Sequence, residues 1–268
     1  AVGSDLNNSN GNHAGHVRVF DFNGTDWILV GSEIQSESSD DRFGYSVSIN
    51  SDGNRLAIGA IENNGNGNSS GHVRIFNWDG SSWVQLGNDI DGESANDESG
   101  TAVSISSDGN MVVIGAPNNN GNGNDAGHVR IFENIGGTWS QIGQDIDGEE
   151  AFDYFGYSVS LSSYGKTIAI GATQNDGNGN NAGHVRIFSS PTIICPKPLN
   201  ITITQGTILG DTTILSACDS YNWNGTNLTT TGIYTDSLTA ASGADSLIFL
   251  DLTITPSPTV DLGNDQNI

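Results

Sequence analysis

The sequence predicts an all-β chain, a partial β-propeller of four-stranded blades followed by a small β-sandwich. Three observations predict it. Gly15-His16-Val17-Arg18-Val19-Phe20 returns as Gly-His-Val-Arg-Ile-Phe from Gly71, Gly127 and Gly183, each 56 residues after the last. A fixed period of this size marks one supersecondary unit that cannot bury its apolar faces alone. Within the unit, apolar residues alternate in short runs and helical periodicity is missing. Turn residues then punctuate those runs often enough for four antiparallel strands per repeat, which is the make-up of a propeller blade.

Residues 41–96 show the elements in order. Phe43-Gly44-Tyr45-Ser46-Val47-Ser48-Ile49 alternates as a strand and ends at Ser51-Asp52-Gly53-Asn54. Asp-Gly between two apolar runs predicts a two-residue hairpin. Leu56-Ala57-Ile58-Gly59 is a second strand, its small residues suited to a crowded interior. Asn63 to Ser70 is an Asn/Gly loop of residues that tolerate positive φ. His72 to Phe76 is the third strand; Asp79-Gly80 turns the chain into the fourth, Trp83 to Leu86. The repeats cover residues 1–190, about 3.5 such units, fewer than a ring of typical size needs. The chain starts inside a repeat and reads as a fragment. A parallel β-solenoid is the rival architecture, but the nonapeptide pattern of calcium-binding β-rolls is missing.

Phe43-Gly44 with Ile58-Gly59-Ala60, and Phe155-Gly156 with Ile170-Gly171-Ala172, resemble the FG-GAP repeat of integrin α-subunit propellers. The middle copy has Ser99-Gly100 and then Gly115-Ala116-Pro117. The resemblance implies a seven-bladed propeller at full length and a role in adhesion or ligand recognition. It also implies a Ca²⁺ loop between the first two strands, but here that turn is shortened to Ser51-Asp52-Gly53-Asn54, Ser107-Asp108-Gly109-Asn110 and Ser163-Tyr164-Gly165-Lys166. One carboxylate cannot supply the six to eight oxygens calcium takes.

After Ser190 the texture changes. Pro191, Pro196 and Pro198 form a stiff linker, and Thr/Ile runs over 191–256 read as a small immunoglobulin-like β-sandwich. Ala217 to Gly225 with Gly232-Ile233-Tyr234 resembles a repeat of large Bacteroidota surface proteins. The second Cys usual in that family is absent, so Cys195 and Cys218 are the disulfide candidates, a bridge worth about 3 kcal/mol where geometry allows it. Residues 257–268 read as a linker and the start of a further module.

Composition narrows the function. With 8 basic and 31 acidic residues the net charge is −23, which repels a phosphate backbone and an anionic membrane surface. No apolar run is long enough for a membrane-spanning helix, so direct membrane insertion is not expected. No Cys or His stands in a nucleophile motif, and no glycine pattern opens a helix for phosphate; the chain is expected not to be an enzyme. His16, His72, His128 and His184 read as packed between blades, with no metal assigned. Arg18, Arg74, Arg130 and Arg186 read as holding carboxylates of neighbouring strands, and Trp27, Trp83 and Trp139 as core.

Strand parity carries the functional expectation. Turns between strands 1–2 and 3–4 share one face, while the long 2–3 loops and the blade-to-blade 4–1 connections share the other. Asn66, Asn122 and Asn178 fall in 2–3 loops; Asp91, Glu93, Asp147 and Glu149 fall in 4–1 connections. Amides and carboxylates on one rim suit a glycan or protein ligand at the cell surface, and weak Ca²⁺ binding in flexible loops; no other cofactor is expected. The expectation is a non-catalytic, secreted or cell-surface adhesion module. The alternative is an accessory propeller beside a secreted hydrolase.

Overall fold

The computed structural model describes residues 1–189, 212–218, 221–223, 226–228, 230, 232–239 and 245–255. It divides into two compact units, Ala1–Ser189 and Ser190–Ile268.

Residues 1–189 form four separate sheets in chain order. The first holds Val2–Ser4, His16–Arg18 and Ile34–Gln35, with Phe20–Phe22 and Trp27–Leu29 as a hairpin. The second runs Phe43–Ile49, Arg55–Ala60, His72–Trp78, with Trp83–Gln85 and Ile90–Asp91 both on the third strand. The third repeats this as Ala102–Ile105, Met111–Ala116, His128–Ile135, Thr138–Gln141 and Ile146–Asp147. The fourth holds Phe155–Leu161, Thr167–Ala172 and His184–Ser189. Every pairing within these sheets is antiparallel, which excludes the parallel solenoid.

Two local expectations are corrected. The Ser51–Asn54 turn is a four-residue loop, because Asn50 N–H donates to Arg55 O (2.9 Å) and Gly53 sits at φ 68°. Asp79–Ser82 is also four residues: Trp78 pairs Trp83, and Asp79 Oδ1 accepts from Ser82 and Ser81 N–H, which lowers its pKa to about 2. Only Gly136-Gly137, between the paired Ile135 and Thr138, is a two-residue turn. The fourth strand also continues past its expected end. It breaks at Gly87 (φ 79°) and resumes at Ile90–Asp91 opposite Val73 and His72. Asp91, and Asp147 in the next sheet, therefore end strands and do not sit in the connections.

Successive sheets pack face to face. Val17, Val19 and Ile34 of the first meet Phe43, Leu56, Ile58 and Phe76 of the second. Ala57, Val73 and Ile75 meet Ile105, Val112, Ile114 and Phe132; Val113 and Val129 meet Phe155, Ile168 and Ile170. Glycines set how closely the sheets approach. A Cβ on Gly59 would lie 2.1 Å from Gly100 O, and one on Gly115 would lie 2.0 Å from Gly156 O. Gly100 and Gly156 themselves stand at φ 92° and 91°, backbone that a side chain rarely adopts. Each Trp clamps onto the sheet before it, Trp83 Nε1 donating to Val30 O (3.1 Å) and Trp139 Nε1 to Leu86 O (2.9 Å).

In the second unit, Gly232–Thr239 pairs Asp245–Thr255 antiparallel and Thr212–Cys218 pairs it in parallel. Tyr221–Trp223 and Thr226–Leu228 make a hairpin. A second sheet facing the first, as a sandwich needs, is not present among the described residues. Cys195 and residues 257–268 lie outside them, as does the side chain of Cys218.

Candidate functional site: the loop rim

The 2–3 loops share a single construction. In the second sheet Asn63 Oδ1 accepts from Gly65 N–H (2.8 Å), Asn64 Oδ1 from Ser69 N–H (2.8 Å), and Gly71 N–H closes back on Asn63 O (3.0 Å). The third repeats this with Asn119 to Gly121, Asn120 to Asp125 and Gly127 to Asn119. The first uses Asn7 and Asn8, the fourth Asn175 and Asp176. Asn and Asp side chains that cap their own backbone are the ordinary chemistry of Asx turns. Repeated at every position, they make these loops self-closed, and the expectation of flexible loops is corrected.

Each loop is then zipped to the connection leading into the next sheet. Asn96, Glu98 and Ser99 N–H donate to Asn68, Ser69 and Ser70 O at 2.8, 3.1 and 3.0 Å. Phe152, Tyr154 and Phe155 do the same to Asn124, Asp125 and Ala126. Alternate residues take left-handed backbone to allow it: Asn96 and Glu98, Phe152 and Tyr154, Asp40 and Arg42. Buried Asp41, Asp97 and Asp153 pin the inner side, each accepting from an Asn amide: Asn63 (3.2 Å), Asn119 (2.9 Å) and Asn175 (3.0 Å).

The residues expected at the rim are distributed as follows. Asn66 Nδ2 donates to Gly92 O (2.9 Å) and Glu93 O (3.0 Å), and Asn122 Nδ2 to Gly148 O (2.7 Å) and Glu149 O (3.3 Å). The 2–3 loops and the 4–1 connections therefore meet on one face. Asn178 is exposed in the fourth loop, which has no zipped connection among the described residues. Asp91 and Asp147 are exposed, with Oδ1 beside the loop backbone at Gly65 and Gly121.

Glu93 and Glu149 belong elsewhere. Glu93 faces Arg130 (3.6 Å) and His128 (3.8 Å) of the following sheet; Glu149 faces Arg186 (3.6 Å) and His184 (3.8 Å). Glu37 faces Arg74 at 3.2 Å in the same way. These are sheet-to-sheet ion pairs, as the scarcity of basic residues suggests. Sequence reasoning missed Glu37, Asp89 and Asp145 because their partners sit 35 or more residues away or on the neighbouring strand. Glu37, His72 and Asp89, and likewise Glu93, His128 and Asp145, offer donor atoms within 4.8 Å of one another, a set that could hold a cation. Arg74 and Arg130 already bring positive charge to these carboxylates. Burial pushes the His72 and His128 imidazoles below their usual pKa against the pull of Asp89 and of Glu93.

The 56-residue unit of this rim has a known counterpart. The FG-GAP repeat matches residues 35–76, 90–132 and 146–188. The sheets of this region are FG-GAP repeats. In FG-GAP terms, the Phe-Gly half supplies the carbonyl and the Gly-Ala half the bare Cα against which it packs.

Among solved structures, a putative 6-phosphogluconolactonase from Bacteroides uniformis is 12% identical with a TM-score of 0.44, over 65% of this chain and 44% of that one. The periplasmic gluconolactonase PpgL of Pseudomonas aeruginosa is 15% identical with a TM-score of 0.40, over 59% and 44%. The tricorn protease is 7% identical with a TM-score of 0.32, over 54% and 12%. The chain spans less than half the length of each of these structures. No curated protein matches it. The expectation that the chain is not an enzyme is corrected here: two of these neighbours are lactonases by title, so this architecture does not exclude catalysis. Among the described residues no helix is long and apolar enough to cross a membrane.

Proposed function

We propose that this chain is a recognition module of a secreted or cell-surface protein, binding a glycan or a protein at the loop rim. The unit from residue 190 onward serves as an immunoglobulin-like spacer in this reading. One observation carries it: the zipped loops fix exposed amides and carboxylates on one face of a rigid scaffold, where binding groups are most often placed. Asn66 and Asn122 spend their N–H groups on backbone carbonyls, and neither Oδ1 has a protein donor among the described residues. With Asp91 and Asp147 alongside, the rim presents acceptors, which suits the hydroxyl donors of a sugar more than an anion. The same oxygens suit Ca²⁺ only weakly, since no loop gathers six of them.

The test is a glycan array followed by calorimetry on the strongest hit. Asp91→Asn with Asp147→Asn should weaken binding by about tenfold, the effect of one charged hydrogen bond. Asp52→Ala, in a turn at the opposite end of the strands, should leave it unchanged. Loss of binding in Asp52→Ala alone would overturn the rim assignment.

A further inference from the structure

The junctions inside the row of sheets specify what each sheet face is built to meet, and two such faces are left uncovered. Val73 and Ile75 of the second sheet and Val129 of the third are 0% exposed, because the following sheet covers them. Their counterparts on the fourth sheet, Val185 and Ile187, are 67% and 68% exposed. The first sheet shows the opposite face. Ile58 and Ile114 are 0% and 1% exposed under the preceding sheet, while their counterpart Val2 is 59% exposed. Trp27 is 69% exposed, whereas Trp83 and Trp139 are clamped to the sheet before them. Arg18 faces only Glu33 of its own sheet, while Arg74 also reaches Glu37 of the sheet before it.

We infer that these two faces are complementary and that one copy of the chain docks head-to-tail on another, the Val185/Ile187 face of the fourth sheet against the Val2/Trp27 face of the first. The occupant is a second copy because three junctions within the chain show this pair of faces meeting. The contact is heterologous, so each copy uses one face as donor and the other as acceptor. Its driving force is burial of β-branched and indole surface, not pairing of strand edges. It is independent of the rim and of any ligand there.

Sedimentation equilibrium on the full chain tests it. The wild-type chain should exceed its monomer mass of 28.0 kDa increasingly with concentration. Ile187→Lys and Trp27→Ser should each weaken self-association by about tenfold or more, as loss of a buried apolar side chain predicts. An equimolar mixture of the two variants should form a one-to-one pair, since each keeps one intact face. Both positions are exposed, so the variants should keep the wild-type circular dichroism; Ile187→Thr, which stays β-branched, replaces Ile187→Lys if it does not. A wild-type chain that stays monomeric, variants that still self-associate, or a mixture that stays monomeric would each overturn the inference.

Discussion

At the scale of single residues, the repeat is set by glycines whose missing Cβ is occupied by a neighbouring sheet. Gly59 and Gly115 have ordinary backbone, so only the carbonyls of Gly100 and Gly156 forbid a side chain there. Gly59→Ala and Gly115→Ala should each destabilise by about 2–3 kcal/mol through overpacking, read as a lower urea midpoint. Gly80→Ala is the control: nothing lies within 4 Å of its Cβ, so its cost is the backbone strain of φ 100°, about 1 kcal/mol. That these glycines recur is plain in the sequence. What each one touches is not, because the contact lies 41 residues away and exists only once two sheets have stacked.

At the scale of elements, alternation located the strands well, placing Phe43–Ile49 at its observed bounds. It failed at Ile90–Asp91, where Gly87 breaks the strand and one apolar residue is too short a signal. The loops read correctly as Asn/Gly turns, but their rigidity rests on hydrogen bonds to a connection about 28 residues on, which composition does not reveal. Between elements, the Arg–Glu pairs align successive sheets. In a double-mutant cycle, Arg130→Met with Glu93→Gln should show coupling of about 1 kcal/mol, because Glu93 is partly exposed. The buried histidines add a pH dependence. Folded His72 and His128 have pKa values below the unfolded value of about 6.5, so their contribution is complete above that pH. It is lost as pH falls below 6.5 towards the folded values, because the unfolded chain then binds more protons. Urea midpoints between pH 7.5 and 5 should fall, and the double variant His72→Gln, His128→Gln should flatten that slope.

For the whole of residues 1–189, stability is a sum over neighbouring sheets, as in other repeat proteins. The inner sheets have a partner on both sides and the outer two on one. Hydrogen exchange should therefore protect Arg55–Ala60 and Met111–Ala116 more strongly than His184–Ser189; uniform protection would mean the row unfolds as one unit. The same regular succession bears on the self-closed Asn loops. Because each copy is folded on the same internal bonds, the chain offers one acceptor surface four times over at a constant step along the row. A ligand that is itself periodic, such as a polysaccharide, can engage several copies at once, and linking weak contacts in this way raises avidity by about a hundredfold to ten-thousandfold where the steps match. Affinity here then depends on the spacing of the ligand as much as on its chemistry, and a polymer should bind where its isolated monomer does not.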